Sequence, residues 1–148
     1  MTAPDFQIVE NLTGEDEEDT ALLKAMADEA KEYIVAHAWC PKIKAQYFAF
    51  GIGGVVAVFV FDFEKKIEGY DEKLWVIVGD LPSAYVVFDE GDDYRVALDK
   101  YCEVMSGWAN SVISGSDLKF AFPVSASPTI ENAKQLMSRI NFIRSEFI

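Results

Sequence analysis

The stretch that decides the fold is KAQYFAFGIGGVVAVFVFDF, residues 44–63. Two runs that are rich in β-branched and aromatic residues, 44–50 and 55–63, flank Gly51-Ile52-Gly53-Gly54, a pattern typical of a β-hairpin. In the second run the odd-numbered positions are Val, Ala and Phe, and the even-numbered positions up to 60 are all Val. Because successive side chains of a strand point to opposite faces, both faces would be apolar. The sequence therefore predicts a central strand that is covered on both sides.

Two more strands and a preceding helix are predicted around this hairpin. Residues 74–79 and 84–88 read as short strands joined by the turn Asp80-Leu81-Pro82-Ser83, which gives a four-stranded antiparallel meander. Apolar residues at helical spacing predict a helix over 14–38, with Thr13 as its cap.

Two helices are predicted after the sheet. The first follows a cap at Asp92 or Asp93 and ends at Gly115, because glycine readily adopts the left-handed conformation that ends helices. The second follows Ser127 as cap, with Pro128 in the first helical position. The chain has no linker, repeat or low-complexity tract, so one domain over 1–148 is expected. The predicted class is α+β: an N-terminal helix, a four-stranded antiparallel sheet and two C-terminal helices that cover it.

The composition is that of an acidic globular protein. Asp and Glu number 25 against 13 Lys and Arg, so the formal net charge is −12. Nucleic acid and anionic membranes are not expected as partners, because phosphate binding requires clustered cations. The uncharged stretch 45–61 approaches the length of a membrane span, but its glycines and β-branched residues favour strands. The N-terminus shows no secretory signal, so a cytoplasmic location is expected.

Few residues are available for catalysis or metal binding. The chain has one histidine, His37, and two cysteines, Cys40 and Cys102. His37 and Cys40 lie near the end of the first predicted helix, where the helix dipole disfavours a thiolate, so packing is expected there. Both cysteines are expected to be reduced and unbridged in a reducing compartment. No metal and no cofactor is predicted, and an enzyme is less expected than a binding protein.

A glycine-rich segment and two single acids resemble parts of functional sites, but each has a structural interpretation. Residues 51–54 lack the third glycine and the following helix that a dinucleotide-binding loop requires, so they are interpreted as a turn. Asp62 and Asp80 are the acids set among apolar residues. Asp62 is expected at a strand end, and Asp80 is expected in a turn, with its carboxylate bonded to the backbone two residues on.

Two acidic surfaces are candidate sites for a basic partner protein. A meander places loops 64–72 and 89–93 at one end of the sheet, where they gather Glu68, Asp71, Glu72, Asp89, Glu90, Asp92 and Asp93. The second candidate is the acidic run at the start of the first helix, Glu15, Asp16, Glu17, Glu18 and Asp19, which exceeds what helix capping requires. Either surface would steer a basic partner or simply keep the protein soluble, and of the two the loops at the end of the sheet are predicted to face the partner.

Non-catalytic protein binding is therefore the leading hypothesis, in the manner of an accessory, inhibitor or immunity-type protein. Two alternatives stay open. One is a small-molecule-binding protein or enzyme with an aromatic pocket built from Tyr47, Trp75, Tyr85 and Trp108. The other is a nucleic-acid mimic, whose partner would normally bind DNA or RNA.

Four blocks of the chain also suggest a family. They are 51–64, Leu74–Tyr85 (LWVIVGDLPSAY), Tyr101–Trp108 and the segment Ser138-Arg139-Ile140-Asn141-Phe142. Together they resemble an uncharacterised bacterial family of short acidic proteins that is classed as a domain of unknown function. The resemblance spans most of the chain from Trp39 onward. It implies a bacterial cytosolic protein and carries no activity, ligand or site residue over to this sequence.

Overall fold

The computed structural model describes residues 6–65, 72–119, 121–124 and 126–148. Its elements are, in chain order, β1 (Gln7–Ile8), α1 (Glu17–Val35), β2 (Ile43–Ile52), β3 (Val56–Phe63), β4 (Lys73–Gly79), β5 (Leu81–Val87), α2 (Tyr94–Ser114) and α3 (Ile130–Glu146). A single 3-10 turn, Val9–Asn11, separates β1 from α1. The predicted α+β class and the order of helices around an antiparallel sheet are confirmed. The strand count of four is wrong, because the described sheet has five strands.

The additional strand is β1, which lies at the edge of the sheet. The strands are antiparallel in the order β1-β2-β3-β4-β5, so each strand neighbours the next in sequence. In β1, Gln7 pairs with Phe48 and Ile8 pairs with Tyr47. Two residues are too few to show an alternation of apolar and polar side chains, so the sequence carried no signal for this strand.

Helices cover both faces of the sheet, as the two apolar faces of β3 predict. On one face Ala57, Phe59, Phe61 and Phe63 form a buried core with the apolar side of α1. On the other face the valines at 56, 58 and 60 form a second core with α2 and α3. The prediction of a central strand covered on both sides is confirmed, and the stretch 45–61 forms strands. None of the described helices combines the length and apolar content that a membrane span requires.

The predicted caps of two helices are wrong, although the helices themselves are present. Asp16, not Thr13, caps α1, and its carboxylate accepts a hydrogen bond from the Asp19 N–H at 2.7 Å. Thr129, not Ser127, caps α3, and its hydroxyl accepts from the Asn132 N–H at 3.1 Å. In both regions several neighbouring residues are chemically able to cap, so composition alone does not select one.

The boundaries of α2 agree with the prediction. The Asp93 carboxylate accepts a hydrogen bond from the Val96 N–H at 3.1 Å, which satisfies one of the unpaired donors at the start of the helix. Gly115 ends α2 with φ of 72°, in the left-handed region that favours glycine.

The turns at one end of the sheet are tighter than predicted. β2 extends to Ile52, and Leu81-Pro82-Ser83 belongs to β5 rather than to a turn. The chain reverses at Gly79 and Asp80. Gly79 has φ of 149°, and a Cβ there would clash with the carbonyl oxygen of Val55. The Asp80 N–H donates to that same carbonyl at 2.9 Å, so the β4–β5 turn is held against the β2–β3 turn.

The two ends of the sheet differ in their charge and in the turns that form them. The acidic end is where β3 ends, β4 begins and β5 ends; its described residues include 64, 65, 72 and 88–93. The hairpin end comprises the turns at 53–55 and at Asp80. The described parts of the two predicted acidic loops, residues 64–65 with 72 and residues 89–93, therefore lie at one end, as expected from the topology.

Candidate functional site

A groove of about 400 Å³ opens at the hairpin end, between the two turns and α3. We call it the end groove. Its walls are largely apolar and come from both turns and from α3: Val55, Val56, Leu81, Phe142 and Ile143. Asp80, Ser138 and Arg139 contribute its polar groups. A second cavity of about 200 Å³ shares Asp80, Leu81 and Arg139 with the end groove and continues towards Trp108.

The regular spacing of α3 places three of its residues along the groove. Gln135, Arg139 and Phe142 follow one another at intervals of four and three, which align on one side of a helix. Gln135 lines the second cavity, Arg139 lines both cavities, and Phe142 lines the end groove. The sheet supplies one wall of the groove and α3 supplies the other.

Arg139 is fixed to the sheet mainly through its Nε atom. The Nε–H donates to the carbonyl oxygen of Asp80 at 2.7 Å, a short charge-assisted hydrogen bond. The other contacts are long: Nη2 lies 3.4 Å from the Asp80 carboxylate, and Nη1 lies 3.5 Å from the Gln135 carbonyl oxygen. The arginine side chain is 40% exposed and that of Asp80 is 75% exposed. The guanidinium is therefore oriented, while its two NH₂ groups remain weakly bonded.

Asp80 does not have the role predicted for it. In the described structure its carboxylate contacts Arg139, and its main chain bonds Val55 and Arg139. The residue two positions on is Pro82, which has no backbone N–H to donate, and among the described residues the carboxylate accepts no hydrogen bond from the main chain. The prediction used only neighbours in sequence, whereas the partner of this carboxylate is 59 residues away.

The predicted patch at the acidic end is partly used inside the fold. Glu68 and Asp71 lie outside the described residues. Asp92 has a side chain only 12% exposed, and its carboxylate accepts from the Trp75 indole at 3.3 Å, the Asp89 N–H at 3.0 Å and Lys100 at 2.9 Å. Desolvation by itself would raise the pKa of Asp92, but these hydrogen bonds outweigh it and lower the pKa. Asp92 thus joins the end of β5 to β4 and α2.

The remaining acids of this patch differ in how far they are engaged. Asp93 is the cap of α2, and Asp89 shares Lys100 with Asp92 through a contact of 2.9 Å. Glu72 and Glu90 are exposed. Lys100 also donates to the carbonyl oxygen of Val87 at 2.8 Å. Lys100 therefore pairs with two of the predicted carboxylates. Of the described acids in this predicted patch, Glu72 and Glu90 are the ones whose side chains neither pair with Lys100 nor cap a helix.

The second predicted patch, Glu15 to Asp19, is also divided. Asp16 caps α1. The Asp19 carboxylate accepts from the Glu15 N–H at 2.9 Å and from the Gly53 N–H at 3.1 Å, so it ties α1 to the β2–β3 turn. Glu15, Glu17 and Glu18 are exposed.

The four aromatic residues of the predicted pocket do not share one cavity. Trp75 is fully buried in the core beneath α2, whereas Tyr85 packs on the α1 face of the sheet. Tyr47 and Trp108 belong to the α2 face, and Trp108 is 4% exposed. Trp75 and Tyr85 are on adjacent strands but at alternate positions, so the pleat sends them to opposite sides.

Tyr85 instead belongs to an aromatic cluster at the end of α1. Its ring centroid lies 5.2 Å from His37, 5.1 Å from Trp39 and 5.4 Å from Phe122. The Nδ1 atom of His37 is 3.0 Å from the carbonyl oxygen of Tyr33, one of the unpaired acceptors in the last turn of α1. His37 therefore stabilises a helix end and an aromatic contact, in agreement with the predicted packing role.

The two thiols are free, and burial disfavours their ionised forms. Burial raises the pKa of the Cys40 thiol, and burial raises the pKa of Cys102 to about 11. Both groups are therefore protonated near neutral pH, and a thiol is a far weaker nucleophile than a thiolate. Within the part of the chain that the structure describes, no three His, Cys, Asp or Glu side chains are grouped so that they could hold a metal ion.

Comparison with known proteins gives no relative. No family model, no curated protein and no solved structure matches the chain. The resemblance to a bacterial family therefore stays a prediction.

The end groove was missed by the reasoning from sequence, because its lining residues come from segments that are far apart in the chain. Three of the four blocks quoted for that resemblance supply residues of the end groove, namely 54–56, 80–81 and, on α3, Ser138, Arg139 and Phe142. Trp108, from the remaining block, lines the second cavity. The sequence alone did not show that they meet.

Proposed function

We propose that this protein is a non-catalytic binding protein whose acidic surface docks a basic partner protein. The observation that carries the proposal is that the acids on α1 and just before it are numerous, mostly exposed and not engaged in ion pairs within the described structure. Residues 15–35 contain eight acids and two lysines, a net charge of −6. The exposed acids of α1 are distributed along its outer side: Glu17, Glu18, Asp28, Glu29 and Glu32.

These helix acids differ from those at the acidic end. Among the described residues, no ion pair within 4.0 Å involves an acid of α1, whereas Asp89 and Asp92 both pair with Lys100. Charges without an internal partner contribute most to the field outside the protein, and such a field accelerates the association of an oppositely charged partner. On the described residues, the outer side of α1 is therefore the favoured docking surface, ahead of the acidic end.

The non-catalytic part of the proposal is supported by what the reactive side chains do. His37 bonds the last turn of α1, and both thiols are held protonated by burial. Asp92, the described carboxylate whose pKa is lowered, is used to hold Trp75 and Lys100 in place. These are the side-chain types most often used in nucleophilic and acid–base catalysis, and here they serve the fold.

The test compares two matched double variants. Glu18→Gln with Glu29→Gln removes two exposed charges from α1, and Glu72→Gln with Glu90→Gln removes two from the acidic end. A partner is captured by crosslinking in lysate, purified, and measured by surface plasmon resonance at two salt concentrations. The α1 variant is expected to slow association several-fold, and the acidic-end variant much less. Dissociation should change little, because exposed charges act chiefly on the association rate.

Poly-L-lysine serves as the control for unspecific attraction, since it should respond equally to both variants. Equal association rates for the partner with both variants would refute α1 as the docking surface. If the partner is a nucleic-acid-binding protein and duplex DNA competes for the same face, the mimic hypothesis is favoured over simple docking.

A further inference from the structure

We propose that the end groove binds a free α-amino acid with a large apolar side chain. In this arrangement Arg139 holds the α-carboxylate, Asp80 holds the α-ammonium group, and the apolar walls hold the side chain. No residue of α1 lines the groove, so this inference does not depend on the proposed docking function.

The guanidinium of Arg139 is oriented so that it can bind a carboxylate. Its Nε–H is anchored at 2.7 Å to the carbonyl oxygen of Asp80, which sets the plane of the group. The two NH₂ groups have only contacts of 3.4 and 3.5 Å, at the limit of hydrogen bonding. A guanidinium binds a carboxylate best through two parallel N–H donors, and these are the donors that remain weakly bonded.

The carboxylate of Asp80 is likewise held in a position from which it can bind a cation. Its main chain is fixed at both ends, because the N–H donates to Val55 at 2.9 Å and the carbonyl oxygen accepts from Arg139. Its carboxylate is 75% exposed and has only the long contact with Arg139 among the described residues. An ammonium group beside it would supply three donors to an acceptor that is already positioned.

The apolar part of the groove suits a side chain of leucine or phenylalanine size. Val55, Leu81 and Phe142 line the groove next to the ion pair, and Phe142 is 50% exposed. A volume of about 400 Å³ lies within the range of small-molecule sites, which combine apolar walls with a few convergent polar groups. An apolar side chain placed there would cover these surfaces from water, which is favourable.

The net charge of the protein favours a zwitterion over a simple acid. With a charge of −12, the protein repels a monocarboxylate at long range, whereas an amino acid carries no net charge. A simple amine would be attracted but would leave the NH₂ groups of Arg139 without an acceptor. A ligand whose ammonium and carboxylate groups are attached to the same carbon matches an Asp–Arg pair in which Oδ2 of Asp80 and Nη2 of Arg139 lie 3.4 Å apart.

The first experiment measures binding by isothermal titration calorimetry with L-phenylalanine and L-leucine. Three analogues each lack one feature: 3-phenylpropionate has no ammonium group, phenethylamine has no carboxylate, and L-alanine has no large apolar side chain. At least one of the two amino acids is expected to bind, and each analogue should bind more weakly by about tenfold or more, because one half of the site is left unpaired. Equal binding of 3-phenylpropionate, or no binding of either amino acid at millimolar concentration, would overturn the proposal.

The second experiment uses matched arginine variants on the same helix. Arg139→Gln is compared with Arg144→Gln, because Arg144 is 41% exposed and is paired with Asp99 at 2.8 Å but does not line the groove. Arg139→Gln should weaken binding about tenfold or more, and Arg144→Gln should leave it unchanged. Thermal melts and amide chemical shifts at Val55 and Leu81 show that each variant is folded and report where the ligand sits. Equal losses for both variants, or shifts confined to another surface, would refute the site.

Discussion

At the acidic end of the sheet Lys100 pairs with Asp92, whose side chain is 12% exposed, whereas at the hairpin end Arg139 pairs with Asp80, whose side chain is 75% exposed. The first pair lies against Trp75 and also bonds the backbone N–H of Asp89. The second pair stands beside apolar side chains that are themselves partly open to water, such as Phe142. A lysine–aspartate pair is therefore mostly buried at the acidic end, whereas an arginine–aspartate pair is accessible to solvent at the hairpin end.

This difference follows from the cost of moving charges out of water. A buried pair must keep its hydrogen bonds, because an uncompensated buried charge is strongly destabilising. An exposed pair contributes little to stability and can exchange one partner for another at low cost. We therefore expect variants at the acidic end to change stability and variants at the hairpin end to change binding.

The largest loss of stability is expected in the central strand β3, which runs between the two ends of the sheet. Phe59 is fully buried in the middle of β3, and Phe59→Ala should lower the free energy of unfolding by about 3–5 kcal/mol, through lost burial and a residual cavity. Phe142→Ala at the hairpin end should cost less than about 1 kcal/mol. Urea unfolding measures both values. A similar cost for the two variants would mean that the hairpin end is core and not an open surface.

A slightly smaller effect is expected at the turn that places Asp80. Gly79→Ala would force both a positive φ and a clash with the Val55 carbonyl oxygen, so we expect a loss of about 2–4 kcal/mol. Gly54 also has a positive φ, of 78°, but has open space around it, and Gly54→Ala should cost only about 1 kcal/mol. Equal losses would show that the close approach of the two turns is not what constrains Gly79.

The two ends are compared directly by one substitution at each. Asp92→Asn should cost about 2–3 kcal/mol, because it removes the charge from a hydrogen-bonded pair that is mostly buried. Asp80→Asn should cost about 0–1 kcal/mol, since that carboxylate is exposed. Chemical unfolding at neutral pH checks both. If Asp80→Asn proves the more destabilising, the assignment of structural and accessible pairs is reversed.

The smallest effect is the change in stability that Asp92 causes at acidic pH. The pKa of Asp92 is lowered in the folded protein, so its stabilising contribution is complete above the pKa of an unfolded aspartate, about 3.9, and is lost as the pH falls through the folded value. The difference in stability between the parent and Asp92→Asn should therefore be constant between about pH 5 and 8 and shrink below about pH 4. A difference that persists unchanged at about pH 2 would show that the carboxylate's charge is not what stabilises this end.

Much of the fold could be predicted from residues that are close in sequence. The alternating apolar faces of 55–63 determined that β3 is central and covered on both sides, because period-two alternation depends only on the geometry of an extended chain. Gly115 marked the end of α2 and Asp93 was one of the two residues predicted to cap its start, for the same local reason, since caps act within one helical turn. β1 and the true caps of α1 and α3 were missed where the signal was too short or was shared by several neighbouring residues.

The use of the charged groups was decided only by the tertiary structure. Nothing within a few residues of Asp92 shows that its carboxylate would be bonded to Trp75 and Lys100, 17 and 8 positions away. The contact between Arg139 and Asp80 joins positions 59 apart, and the end groove exists only because α3 passes over two turns that a glycine brings together. Sequence by itself determined the elements and their faces, because these follow from local backbone geometry. Which carboxylates are buried and which are accessible depends on long-range packing.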